Sequence, residues 1–202
     1  MLARVLAVVA ATVALACPAR ADTDGDLMTA TFAGGCFWCM EHAFDELDGV
    51  ISTTTGYTGG RQVDPTYKQV SSGATGHVET VQVLYDPRKI EYADLLRVFW
   101  RNIDPTAPDR QFCDVGAQYR AVIFYHSTSQ RRLAQVSKNV LIVNKIFDKP
   151  VVTEIKPTTE FYSAEDYHQD YHINHPIRYK LYRFICGRDK RLKELWAKLS
   201  RS

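Results

Sequence analysis

The 202-residue sequence has little that would tie it to a membrane or to nucleic acid. Its one long apolar run, Val5–Ala16, is shorter than the roughly 20 residues a bilayer span requires. Arg4 precedes that run and Ala19-Arg20-Ala21 follows it, the layout of a cleaved secretory signal peptide. The expected organisation is a signal peptide over 1–21, cleaved near Ala21, and one domain over 22–202, in a secreted or periplasmic protein. Ala14-Leu15-Ala16-Cys17 is a poor context for lipid attachment at Cys17. Cleavage removes Arg4 and Arg20 and no acid, so the formal charge falls from +2 to zero. That excludes the basic footprint of nucleic-acid or anionic-membrane binding. Repeats, low-complexity tracts and linkers are also lacking. With 46% hydrophobic residues, the chain fills one globular core and is short for two.

Cysteine is scarce, and cleavage leaves four: Cys36, Cys39, Cys113 and Cys186, which allow three pairings. Disulfides persist in exported proteins. Two inert staples would be the plainest use of four cysteines, yet a chain of this size needs none. The loop between Cys36 and Cys39 is also too short to stabilise much. A working redox pair fits better. Metal motifs are missing as well. His168, His172 and His175 have helical spacing, but the run lacks the glutamate of a zinc-protease helix, and Cys36/Cys39 lack a second close pair. No metal is expected, and His168 is read as orienting or hydrogen-bonding a neighbour.

Gly34-Gly-Cys-Phe-Trp-Cys39 stands out against these absences. Met28–Gly34 before it reads as a strand and Met40–Leu47 after it as a helix, placing Cys36 at a strand-to-helix junction. The helix dipole and free N–H groups there favour thiolate over thiol. Gly49–Gly56 reads as a second strand entering a loop at Tyr57–Gly60, and Asp64 as a cap with Pro65 at the first position of a short helix to Val70. His77–Asp86 is the clearest strand, with Glu79, Val81, Val83 and Tyr85 on one face. A glutamate among apolar neighbours beside a reactive thiol is a candidate proton donor, because burial raises a carboxyl pKa.

Further along, Glu91–Ile103 reads as a helix whose Leu96, Phe99, Trp100 and Ile103 belong to the core. Asp104–Gly116 is turn-rich, too irregular for helix or strand, and carries Cys113 and Asp114. Tyr119–Tyr125 reads as a central strand with Tyr119 at its mouth. A helix from about Ser129 to Lys145 and a strand over Val151–Ile155 complete an alternating pattern. The basic stretch from Gly187 reads as an amphipathic helix with a solvated face.

Six segments in order are similar to one family: Gly35–Trp38, Gly56–Gly60, Pro65–Tyr67, Gly76–Glu79 running to Pro87, Asp114–Arg120 and Ala164–Gln169. Together, over roughly residues 28–186, they resemble the A-type peptide methionine sulfoxide reductases, the enzymes that repair oxidised methionine. The resemblance implies an α+β fold, a two-layer sandwich around a mixed β-sheet with a long coiled C-terminal segment. It implies Cys36 as the nucleophile on the sulfoxide sulfur, Glu79 as the acid that protonates the oxygen, and Tyr67 and Tyr119 as hydroxyl donors to it. Phe37 and Trp38, with Asp114 and His168 beside them, would hold the substrate. The substrate would be methionine S-sulfoxide, free or in oxidised proteins. No cofactor is implied, only an external dithiol such as thioredoxin, and a monomer is expected.

The resolving thiol departs from the family pattern. Many relatives have a small residue at Cys39, asparagine at Cys113 and a glycine-rich tail carrying the resolving cysteine. Here Cys186, read as lying on a flexible segment, is the first choice. Cys39, about 5–6 Å from Cys36 along a helix, is the second. Cys113 is read as an apolar filler lining the site. Two other readings compete: a thiol–disulfide oxidoreductase using Cys36-Phe-Trp-Cys39, which lacks the downstream β-strand proline that a thioredoxin-type unit would place beside the pair, and an exported binding module stapled by two disulfides.

Overall fold

A computed structural model describes residues 26–197, so the expected signal peptide over 1–21 and Cys17 lie outside the described residues. The chain runs β1 (Met28–Ala33), α1 (Phe37–Asp45), β2 (Val50–Thr58), α2 (Tyr67–Ser71), β3 (Val78–Tyr85) and α3 (Tyr92–Arg101). A two-residue hairpin follows, β4 (Arg110–Gln111) with β5 (Asp114–Val115), then a 3-10 turn over Ala117–Tyr119, β6 (Val122–Tyr125) and α4 (Thr128–Val143). The tail holds β7 (Glu154–Pro157), β8 (Tyr162–Ser163), a second 3-10 turn (Asp166–His168) and the helices α5 (Tyr171–Asn174), α6 (Pro176–Ile185) and α7 (Arg188–Trp196).

The main sheet has the order β7-β6-β1-β3-β2-β8. Only β6 and β7 pair in parallel, which makes the sheet mixed, as the α+β reading requires. The alternation read in β3 holds: Val81, Val83 and Tyr85 join the core in which Phe32 stacks on Phe44, Tyr92 and Phe99. That core ties α1 and α3 to one face of the sheet. Glu79 shares the face and lies opposite Tyr57 in the neighbouring strand.

Several boundaries move, each for a local reason. β2 continues through Tyr57 to Thr58, into the expected loop, because β3 on one side and β8 on the other both hydrogen-bond it there. The cap of α2 is Thr66, whose exchange of bonds with Gln69 satisfies the first turn; Asp64 instead sits in the left-handed region. β6 begins at Val122, after the turn that carries Tyr119, and the Asp104–Gly116 segment contains the short β4–β5 hairpin. β7 pairs over Glu154–Pro157, later than the expected 151–155. Cys186 is not on a flexible segment: it caps the end of α6 and Gly187 turns the chain directly into α7.

Candidate active site

Gly35 has φ +83°, and a side chain there would collide with Gln111, so glycine is required at the turn that delivers Cys36. Cys36 is the N-cap of α1, but its side chain makes no capping bond. The first free N–H of the helix, on Phe37, donates instead to Glu79 Oε2 at 3.1 Å. The positive end of the helix is thus spent on the carboxyl group of β3.

This explains a correction to the sequence reading. Glu79 is 2% exposed, and burial pushes its carboxyl up to about 8 even though the Phe37 N–H pulls the other way. The acid is neutral at pH 7. Cys36, 5% exposed, is likewise pushed up, first by burial and then by its hydrogen bond with Cys39, so a helix start does not make it a free thiolate. Cys39 receives that bond and, with Arg188 and Arg183 nearby, is held down to about 6. The two sulfurs titrate as a pair in which Cys36 keeps the proton.

Cys36, Phe37, Trp38, Tyr67, Glu79, Asp114, Tyr119 and Tyr182 line one cavity of about 60 Å³. Drug-sized ligand pockets run about 300–1,000 Å³. This space accepts a group of a few heavy atoms. One wall is aromatic: Phe37 lies 6.4 Å from Tyr67, and Trp38 stacks flat on Tyr171 at 3.7 Å. Burial raises the hydroxyls of Tyr67 and Tyr119, Tyr67 to about 12, so both remain hydrogen-bond donors. Asp114, pushed up by burial, accepts from the Tyr182 hydroxyl at 2.6 Å.

The structure therefore brings Cys36, Cys39, Glu79, Tyr67, Tyr119, Phe37, Trp38 and Asp114 together. His168 is close but does something other than expected. It is caged by the rings of Phe37, Trp38, Tyr67 and Tyr167, and neither ring nitrogen has a hydrogen-bond partner among the described residues. The other two histidines part company with it: His172 lies between Glu41 and Asp45, and His175 faces Tyr171. Cys113 is not a filler lining the cavity. It is exposed and joined to Cys186 in a disulfide, and its N–H donates to Cys186 Sγ.

Four supporting residues escaped the sequence reading. Glu165 accepts from Tyr67 N–H at 2.9 Å and from the Tyr57 hydroxyl at 2.8 Å, which fixes the backbone of Tyr67. Tyr182 fills the cavity from α6. Arg188, placed by the basic stretch on a solvated face, is instead 1% exposed and donates to the carbonyls of Gly34 and Asn102. Glu41 is buried at the α1–α5 contact and accepts from Asp170 N–H. Only Glu165 falls in a segment that carried the resemblance.

The family model described as peptide methionine sulfoxide reductase matches residues 28–200. The chain belongs to that family. The peptide methionine sulfoxide reductase MsrA of Bacillus licheniformis is 49% identical over 169 residues, which cover 84% of this chain and 93% of the relative. The MsrA of Listeria innocua is 47% identical over 174 residues, covering 86% and 98%. Among solved structures, reduced Mxr1 of Saccharomyces cerevisiae matches with a TM-score of 0.71 at 32% identity, over 76% of this chain and 88% of that one. Mxr1 in complex with Trx2 matches with a TM-score of 0.53 at 25% identity, over 71% and 84%. The chain is accordingly a peptide methionine sulfoxide reductase with the mixed-sheet fold of its relatives.

Proposed function

We propose that this reductase acts on methionine S-sulfoxide through Cys36, with Glu79 as acid and Cys39 as the resolving thiol. The observation that carries this is the single small cavity in which a neutral carboxyl group and a buried thiol face the same few atoms of space. A methyl sulfoxide is an apolar methyl and a strongly accepting oxygen on one sulfur. Phe37 and Trp38 offer the methyl an aromatic wall, and Tyr67, Tyr119 and Glu79 offer the oxygen three donors.

Attack on the sulfur requires the oxygen to gain a proton as the S–S contact forms. Glu79 supplies it, and the proton that Cys36 loses passes along the existing bond to Cys39. The collapse releases methionine and leaves a sulfenic acid on Cys36. Cys39 then displaces water to give a Cys36–Cys39 disulfide, and the two electrons that reopen it come ultimately from an external dithiol such as thioredoxin. Cys186, the first choice from sequence, is bonded to Cys113, whereas Cys39 already touches Cys36.

The rival thiol–disulfide oxidoreductase needs Cys36 and Cys39 to meet a protein disulfide, and burial of 5% and 1% exposure keeps both from it. A module held by two staples is inconsistent with two free thiols among the described residues. We also place the protein outside the cytoplasm, on the pattern of residues 1–21 and on a disulfide of the kind that persists there. The test is methionine formation by Cys36→Ser, expected to be nil; retained turnover would overturn the reading.

A further inference from the structure

Resting on the proposed function, we propose that the exposed Cys113–Cys186 disulfide receives electrons from the dithiol protein and passes them to the buried Cys36–Cys39 pair, and that one face of α6 seats that protein. Three observations converge. First, a protein reductant must bring its sulfur against a disulfide sulfur, and among the described residues only Cys113–Cys186 lies at the surface.

Second, α6 has two opposed stripes. Tyr179, Tyr182 and Cys186 recur at helical spacing, and the two tyrosines pack against Cys36 and Cys39, so the stripe that ends in Cys186 is the one facing the buried thiols. Third, the other stripe is apolar and uncovered. Ile177 and Phe184 are each 82% exposed, and the exposed Leu181 and Ile185 continue the strip along α6 to the disulfide. Monomeric surfaces rarely leave such a strip bare without a partner. Its flanks carry the exposed Arg178 and Lys180, and α6 contains no acid. The surface therefore fits a dithiol protein with an apolar rim beside its active sulfur and acidic residues next to that rim.

The chemistry balances as two exchanges. A thiolate of the dithiol protein attacks one sulfur of Cys113–Cys186, and its second thiol displaces the mixed disulfide, leaving two thiols here and a disulfide on the donor. Cys186, freed, attacks the Cys36–Cys39 disulfide that turnover has formed. Cys113 then displaces the resulting mixed disulfide, restoring Cys113–Cys186 and two free thiols in the site.

The experiment is a count of methionine formed without external reductant. Fully reduced protein is expected to yield two methionines per chain, and the Cys113→Ser/Cys186→Ser double variant one. A yield of one from both would make the disulfide an inert staple and overturn the proposal. A yield of zero from the wild type would instead overturn the function on which it rests. For the docking face, the ratio of thioredoxin-supported to dithiothreitol-supported turnover is compared between wild type and Ile177→Ser/Phe184→Ser. A fall of about tenfold is expected. An unchanged ratio, with loss of a dimer in sedimentation velocity or without it, would mean that the face does not seat the reductant.

Discussion

Two cysteine pairs lie within one loop and one helix of each other and differ in nearly everything that matters to a sulfur. Cys36 and Cys39 are buried, hydrogen-bonded to one another and surrounded by a neutral glutamic acid and tyrosine hydroxyls. Cys113 and Cys186 are bonded to one another at the surface, between a strained hairpin turn with Phe112 at φ +53° and the end of a helix. The first environment suits chemistry that must exclude water and hold a proton. The second suits exchange with another protein. Reactivity is therefore set by burial and neighbours rather than by the motif in which a cysteine occurs.

The largest effect should come from striking the buried pair: Cys36→Ser is expected to lower methionine formation by about 10⁴-fold or more, measured as methionine released in a single turnover. Glu79→Gln keeps the acceptor for Phe37 N–H but removes the proton, and should cost about 10²–10⁴-fold. The wild-type single-turnover rate should fall as pH rises through about 8, where Glu79 ionises, and Glu79→Gln should lose that limb. Removing one hydroxyl is milder. Tyr67→Phe or Tyr119→Phe should each slow the same step by about 10²-fold at most, since two donors to the oxygen remain.

The smallest effect is on stability. Glu79 and Glu41 are both raised to about 8 from a usual value of 4.5, so the folded chain holds protons that the unfolded chain releases between those values. The stability contributed by these two groups is then fully present below about pH 4.5 and is lost as pH rises through about 8. Thermal melts of wild type and Glu41→Gln, which still accepts from Asp170, should differ in slope: between pH 4.5 and 8 the wild type loses more Tm, or gains less, than the variant by several degrees.

Much of this was legible before any coordinates. The two-residue alternation of β3 put Glu79 on the face of Val81 and Val83, and Gly34-Gly35 ahead of Cys36 announced the turn into a helix. What was hidden depended on partners far away in the chain. Nothing local says that the free N–H of Phe37 will be taken by Glu79, which reverses the expected benefit to the Cys36 thiolate. The Cys113–Cys186 bond spans 73 residues, and four cysteines leave the pairing open. Arg188 looked like one more cation on a basic helix, until the left-handed turn at Gly187 directed it inward to Gly34. β2 ran past its expected end because pairing on both sides overrode the glycine at 56.

The division of labour between the two pairs is tested most directly by mapping disulfides after one turnover. Protein with Cys113–Cys186 intact is given one equivalent of methionine S-sulfoxide without reductant, and its peptides are analysed by mass spectrometry. One methionine per chain, a new Cys36–Cys39 disulfide and an undisturbed Cys113–Cys186 are predicted. A Cys36–Cys186 bond, or methionine formed with Cys36 and Cys39 both still free, would contradict it.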